Sequence, residues 1–68
     1  MDKELILKNN LKEIRNAKNL SQEELAKLVG TSRQTIISIE KGIFNPSVKL
    51  ALLISIALET PVENLFFF

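Results

Sequence analysis

The stretch Ser21 to Gly42, SQEELAKLVGTSRQTIISIEKG, reads as two short helices joined by a tight turn, and this reading decides the fold. Ser21 stands three residues before Glu24, the spacing of a capping box in which each side chain bonds the other residue's backbone N–H. A helix therefore begins at Gln22. Leu25, Ala26, Leu28 and Val29 recur at three- and four-residue intervals and mark its buried face. Gly30 stops it, because glycine adopts the left-handed conformation that ends helices. Only Thr31 and Ser32 intervene before a second amphipathic run from Arg33, with Ile36 and Ile39 inward and Gly42 as its stop. Two helices joined this tightly must cross steeply.

Upstream, Asn10 stands three residues before Glu13 and predicts another capping box, with a first helix over Leu11 to Lys18. Leu11, Ile14 and Ala17 share its face, Asn19 is a left-handed C-cap, and Leu20 packs back behind it. The short apolar run Leu5 to Leu7 is compatible with either a brief strand or the start of that helix. Downstream, Lys41 to Pro46 forms a loop, since a residue preceding proline is barred from helix. Ser47 then caps a fourth helix over Val48 to Leu58, whose apolar residues cover almost its whole circumference. A helix apolar all round is a buried helix, and a chain this small cannot bury every side of it alone, so a second chain is expected against it. Thr60 as cap, Pro61 at the first helical position and Glu63 in the first turn open a short fifth helix ending near Phe66. At least one of Phe66, Phe67 and Phe68 should pack on the core, on a partner or on a strand at Leu5 to Leu7. The expectation is an all-α, five-helix bundle forming one domain over residues 1–68, with a possible short strand pair between the two ends.

Composition narrows the function. The 68 residues contain no cysteine and no histidine, which removes disulfides, thiol nucleophiles, imidazole bases and almost every zinc or iron site. No metal, cofactor or small-molecule ligand is expected. No segment has the length of a membrane span, and Asp2, Lys3 and Glu4 do not resemble a signal peptide's flank, so a soluble cytoplasmic protein without a membrane partner is expected. The formal net charge of +1 argues little by itself, yet Lys49 is the only cation after Phe44. Lys3, Lys8, Lys12, Arg15, Lys18, Lys27, Arg33 and Lys41 all precede it, a mild sign of an electropositive side. An enzyme is not expected: the serines have no histidine to activate them, and Glu23 and Glu24 are neighbours on a helix start rather than facing carboxylates.

Residues Gln22 to Glu40, with the small Ala26 on the first helix, Gly30 at the turn and Ile36 and Ile39 on the second, resemble the Cro/repressor (Xre-type) helix-turn-helix family. The likeness extends through LKEIR, LSQEELA, SRQT, IEKG, NPS and PVENLF in order, from about Asn10 to Phe66. It implies a lambda-repressor-like fold and a regulator that binds double-stranded DNA. The major groove of B-DNA admits one α-helix, and a second helix across its N-terminus sets the insertion angle.

On that resemblance Arg33, Gln34, Ile37 and Ser38 face the groove. Arg33 can bond guanine O6 and N7, Gln34 can pair with adenine, and Ser38 can donate or accept. Ile37 stands where the family usually has a polar residue, and it either meets a thymine methyl or has no groove role. Gln22, Thr31, Ser32, Thr35, Lys41 and Asn45 are candidate phosphate contacts, although Ser32 fits better as the N-cap of the third helix. The family pattern also implies a structural ion pair between Arg15 and Glu40. Dimerisation through the chain end implies an interface of Leu53, Ile56, Val62, Leu65, Phe66, Phe67 and Phe68, and a homodimer on a pseudo-palindromic site. Repression by promoter occupancy is the simplest action. The competing reading is a helix-turn-helix scaffold that binds another protein, or an antitoxin-like autoregulator.

Overall fold

The computed structural model describes residues 5–68, and Lys3, counted among the N-terminal cations, lies outside them together with Asp2 and Glu4. The chain runs β1 (Lys8–Asn9), α1 (Leu11–Ala17), α2 (Gln22–Val29), α3 (Arg33–Glu40), α4 (Val48–Ala57), α5 (Val62–Leu65) and β2 (Phe66–Phe67). Local chemistry starts three of the helices. Ser21 Oγ accepts from the Glu24 N–H at 3.0 Å, while the Ser21 N–H donates to Glu24 Oε1 at 2.8 Å. Ser32 and Ser47 accept in the same way from Thr35 and Leu50, both at 3.1 Å. The same device stops four helices. Asn19, Gly30, Gly42 and Glu59 each have positive φ, and the next residue's N–H reaches back five positions to a last-turn carbonyl.

The buried residues come from every helix: Leu11 from α1, Leu25, Ala26 and Val29 from α2, Ile36 and Ile39 from α3, Ile54 and its neighbour Leu58 from α4, and Leu65 from α5. Ala26, 2% exposed, lets α3 approach α2 closely, and α2 is also covered by α4. The two ends of the chain meet in an antiparallel pair that sets Lys8 opposite Phe67 and Asn9 opposite Phe66.

Several sequence expectations are corrected here. Leu28 and Ala17 are exposed, because the covered arcs of α2 and α1 are narrower than their apolar spacing suggests. The cap of α1 comes from Asn9 rather than Asn10: Asn9 Oδ1 accepts from the Leu11 N–H at 3.0 Å. Asn10 is turned away, its backbone N–H bonded to Leu65 O at 3.0 Å and its side-chain amide to Asn64 O at 3.3 Å. The strand lies at Lys8–Asn9, not at Leu5 to Leu7, where Leu5 and Ile6 are exposed. Thr60 does not cap α5. Its hydroxyl donates to Leu58 O at 2.9 Å, and Pro61, with an extended ψ of 141°, stands before the first helical residue. Finally, α4 is not buried all round. Leu50, Leu53, Ile54, Ala57 and Leu58 face the core, while Val48, Leu52 and Ile56 are exposed to solvent.

Candidate nucleic-acid interface

The helix that should read bases is fixed from within. Ile36 and Ile39 are buried on its inner side, and Glu40 at its end is held by a nearly dry ion pair with Arg15 of α1. Arg15 Nε donates to Glu40 Oε2 at 2.6 Å and Nη2 to Oε1 at 3.2 Å, a bidentate fork. The remaining nitrogen, Nη1, donates to Leu20 O at 2.7 Å and to Asn16 Oδ1 at 3.2 Å. Gln22 Nε2 adds a 3.1 Å bond to Glu40 Oε1, so the start of α2 joins the same network. Asn9 Nδ2 donates to Ile39 O at 2.9 Å and ties the last turn of α3 to the strand pair. Among the described residues no buried side-chain polar atom lacks a partner.

The outer side of α3 contrasts with this. Arg33 and Gln34 are exposed in its first turn, and Ile37 and Ser38 are half-buried one turn further on. Gln34 Nε2 lies 3.4 Å from Ser38 Oγ, a long and solvent-exposed bond that a base could displace. Two surface depressions flank this face. One is polar, between α2 and α3, lined by Arg15, Ser21, Gln22, Glu23 and Arg33. The other is largely apolar, lined by Ser32, Gln34, Thr35, Ser38, Ile43 and Phe44.

The residues expected at phosphates fall into three groups. Ser32 and Thr35 are committed to the start of α3: Ser32 Oγ accepts the Thr35 N–H and lies 2.8 Å from Thr35 Oγ1. Thr31 lies apart from the reading face, in a third depression with Ser47, Lys49 and Leu53. Lys41 and Asn45 are exposed on the loop after α3, and Gln22 keeps one amide hydrogen beyond its bond to Glu40. Of the expected interface residues, Leu65 is fully buried and so is closed to a partner, whereas Leu53 and Phe66 pack against the core and stay partly exposed. Ile56 and Phe68 are exposed, and Val62 and Phe67 half-buried. Ile43, Phe44, Val48 and Leu52 were not singled out from sequence. For Ile43 and Phe44 the available signal was a pair of large apolar residues placed in the loop GIFNPS, where solvent exposure is the rule, and for Val48 and Leu52 it was the apolar circumference of α4.

A family model described as helix-turn-helix (HTH_3) matches residues 11–65. An HTH-type transcriptional regulator of Methanocaldococcus jannaschii is 50% identical over 62 residues, 91% of this chain and 94% of that protein. The chain belongs to the HTH_3 helix-turn-helix family. This is a family of DNA-binding transcriptional regulators and not of enzymes. Among solved structures, the restriction-modification controller protein C.AhdI from Aeromonas hydrophila matches this helix-turn-helix chain with a TM-score of 0.75. The two are 39% identical, over 79% of this chain and 82% of the other. The control protein C.SmaI of Serratia marcescens is 38% identical over 65 residues, 96% of this chain and 77% of that protein. No helix among the described residues is long and apolar enough to cross a membrane.

Proposed function

We propose that this regulator is a repressor that occupies a pseudo-palindromic operator in double-stranded DNA as a homodimer. The observation that carries this reading is the contrast within α3, whose inner face is anchored by Ile36, Ile39 and the Arg15–Glu40 fork while Arg33 and Gln34 stand free at its first turn. A rigid helix with free hydrogen-bonding groups near its N-terminus suits insertion into the major groove. Arg33 bonds guanine O6 and N7, Gln34 pairs with adenine, Ser38 donates or accepts, and Ile37 meets a thymine methyl. Lys41, Asn45, the second amide hydrogen of Gln22 and the free N–H groups of α2 contact phosphates and set the register. Ser32 and Thr35 act by shaping the start of α3, and Thr31 lies toward the rim.

The dimer forms through the outer ridge of α4. Val48, Leu52 and Ile56 are four residues apart, 77%, 49% and 73% exposed, and make an apolar stripe along one side of the helix that can meet its copy about a two-fold axis. Two copies then present their recognition helices about 34 Å apart, one turn of DNA. Repression follows from occupancy alone, because a promoter covered by the dimer is closed to polymerase. The names of the relatives C.SmaI and C.AhdI, a control protein and a controller protein, support a role in gene control.

Selection of bound duplexes from a random pool tests the reading. Wild-type protein should recover a sequence with two-fold symmetry. Arg33→Ala and Gln34→Ala should each relax preference at a particular base pair per half-site, by about 1–3 kcal/mol. Lys41→Ala should weaken all sequences alike and lower the salt dependence. Recovery of no preferred sequence, or binding indifferent to salt, would sink the proposal.

A further inference from the structure

We infer that Ile43 and Phe44, on the loop after α3, form a second, apolar base-reading element that recognises thymine methyl groups beside the bases bonded by Gln34 and Ser38. The inference rests on the DNA-binding reading above. Both side chains line the depression that Gln34 and Ser38 also line, so the apolar surface is continuous with the reading face of α3. Ile43 is 75% exposed and Phe44 48% exposed, a large apolar area for two adjacent loop residues.

Their position is set by the backbone and not by their side chains. Gly42, with φ of 76°, ends the helix in the left-handed conformation. The N–H groups of Ile43 and Phe44 then both donate to Ser38 O, at 3.0 and 3.2 Å. The loop is thus folded back onto the turn of α3 that carries Ser38, and neither side chain is needed to hold it there. A side chain placed beside the groove by its backbone, with its apolar surface free, matches the one feature of the major groove that is not a hydrogen-bonding group, the C5-methyl of thymine. The neighbouring Gln34 matches adenine, so the depression as a whole is suited to an A·T-containing step. The polar depression around Arg33 and Gln22 on the other flank suits guanine and phosphate. The reading face therefore divides along α3 into a polar side and a methyl-reading side.

The test uses the duplex recovered by the selection above, with each thymine replaced in turn by deoxyuridine, which removes the methyl and leaves base pairing intact. Wild-type protein should lose about fourfold in affinity for each methyl it covers, at symmetric positions in the two half-sites. Ile43→Ser and Phe44→Ser should each abolish the loss at one position and retain the guanine and adenine preferences. Phe44→Leu should keep part of the methyl dependence. Thermal melting of the free variants should stay near that of wild type. A wild-type protein that binds the selected duplex equally well with deoxyuridine at every position would overturn this inference, and the Ile37 methyl contact with it, while leaving the DNA-binding reading in place. So would serine variants that keep every methyl effect seen with wild type, since the methyl met by Ile37 is the one whose effect should survive in both. Absence of any selective binding by wild type would instead overturn the DNA-binding reading and this inference with it. Should a serine variant melt early, the wild-type deoxyuridine series and Phe44→Leu still decide the matter.

Discussion

Helices α3 and α4 do the same thing on the inside and opposite things on the outside. Each contributes two or more side chains to one apolar core, Ile36 and Ile39 in the first case and Ile54 with its core-facing neighbours in the second. Outward, α3 shows Arg33, Gln34 and Ser38, whereas α4 shows Val48, Leu52 and Ile56. The inner face makes a helix part of the fold, and the outer face is left for a ligand: on the function proposed above, polar groups with hydrogen-bonding capacity for DNA, and a bare apolar stripe for a second copy. Their anchoring differs as well. The end of α3 is locked by a buried ion pair, while α4 is held by packing alone apart from its capped ends.

The contrast in anchoring predicts the largest effect. Arg15→Ala leaves Glu40, whose side chain is 5% exposed, buried without its partner, and should cost about 3–5 kcal/mol. Total stability for a domain of this size is of the same order, so the variant should be largely unfolded at 37 °C by circular dichroism. The double variant Arg15→Met/Glu40→Leu should recover most of the loss, because two apolar side chains leave no stranded charge. A single variant melting within a degree of wild type would mean that α3 is held by packing alone, as α4 is.

The outer ridge of α4 predicts a change in association without a change in fold. Ile56→Lys should raise the dimer dissociation constant at least about tenfold by analytical ultracentrifugation, since it places a charge in a stripe meant to be dry. Monomer stability should shift by no more than about 0.5 kcal/mol, because Ile56 is 73% exposed. A wild-type chain monomeric at micromolar concentration would remove the functional half of the comparison.

The start of α2, which carries α3, should be sensitive at about the 1 kcal/mol level. Ser21→Ala removes its cap and should lower stability by roughly that amount in urea denaturation. The Ser21 N–H, helped by the Ser21 hydroxyl, holds the Glu24 carboxyl below the ordinary glutamate value. A folded value lowered in this way means that the carboxylate's contribution is present above the ordinary glutamate range, and is lost as pH falls through the lowered folded value. An NMR titration should show the Glu24 midpoint moving up toward the ordinary value in Ser21→Ala.

The smallest effect is expected at the end of α4. Glu59 has φ of 51°, in the left-handed region that costs an ordinary residue about 1–2 kcal/mol. Glu59→Gly should raise stability by about 0.5 kcal/mol once the added freedom of the unfolded chain is set against that relief. The 3.9 Å contact with Lys18 that is lost is solvent-exposed and contributes little. A lower melting temperature would mean that this contact matters more than its exposure implies.

What was legible in the sequence was what closes within about five residues. Ser21 with Glu24, Ser32, Ser47, Asn19, Gly30 and Gly42 all start or stop helices through bonds to near neighbours, and each does so in the structure. Asn9 and Asn10 show where this fails: both are plausible caps by type, and only the bond from the Asn10 N–H to Leu65 O, across the whole chain, decides that Asn9 takes the role. Leu28 and Ala17 have apolar spacing, yet exposure depends on which neighbouring helix covers which arc. Composition likewise indicated that α4 had more apolar surface than a small core needs.

The sequence by itself determined the five helices, the tight turn between α2 and α3, and the residue types available to meet DNA, because hydrogen-bonded caps and helical periodicity are local. Only the tertiary structure decided that Leu65 belongs to the core and Leu53 packs against it while Val48, Leu52 and Ile56 face outward, and that Ile43 and Phe44 lie beside Gln34 and Ser38. Those outcomes depend on which surfaces the packing of all five helices leaves uncovered, and burial is a property of the assembled chain rather than of any segment in it.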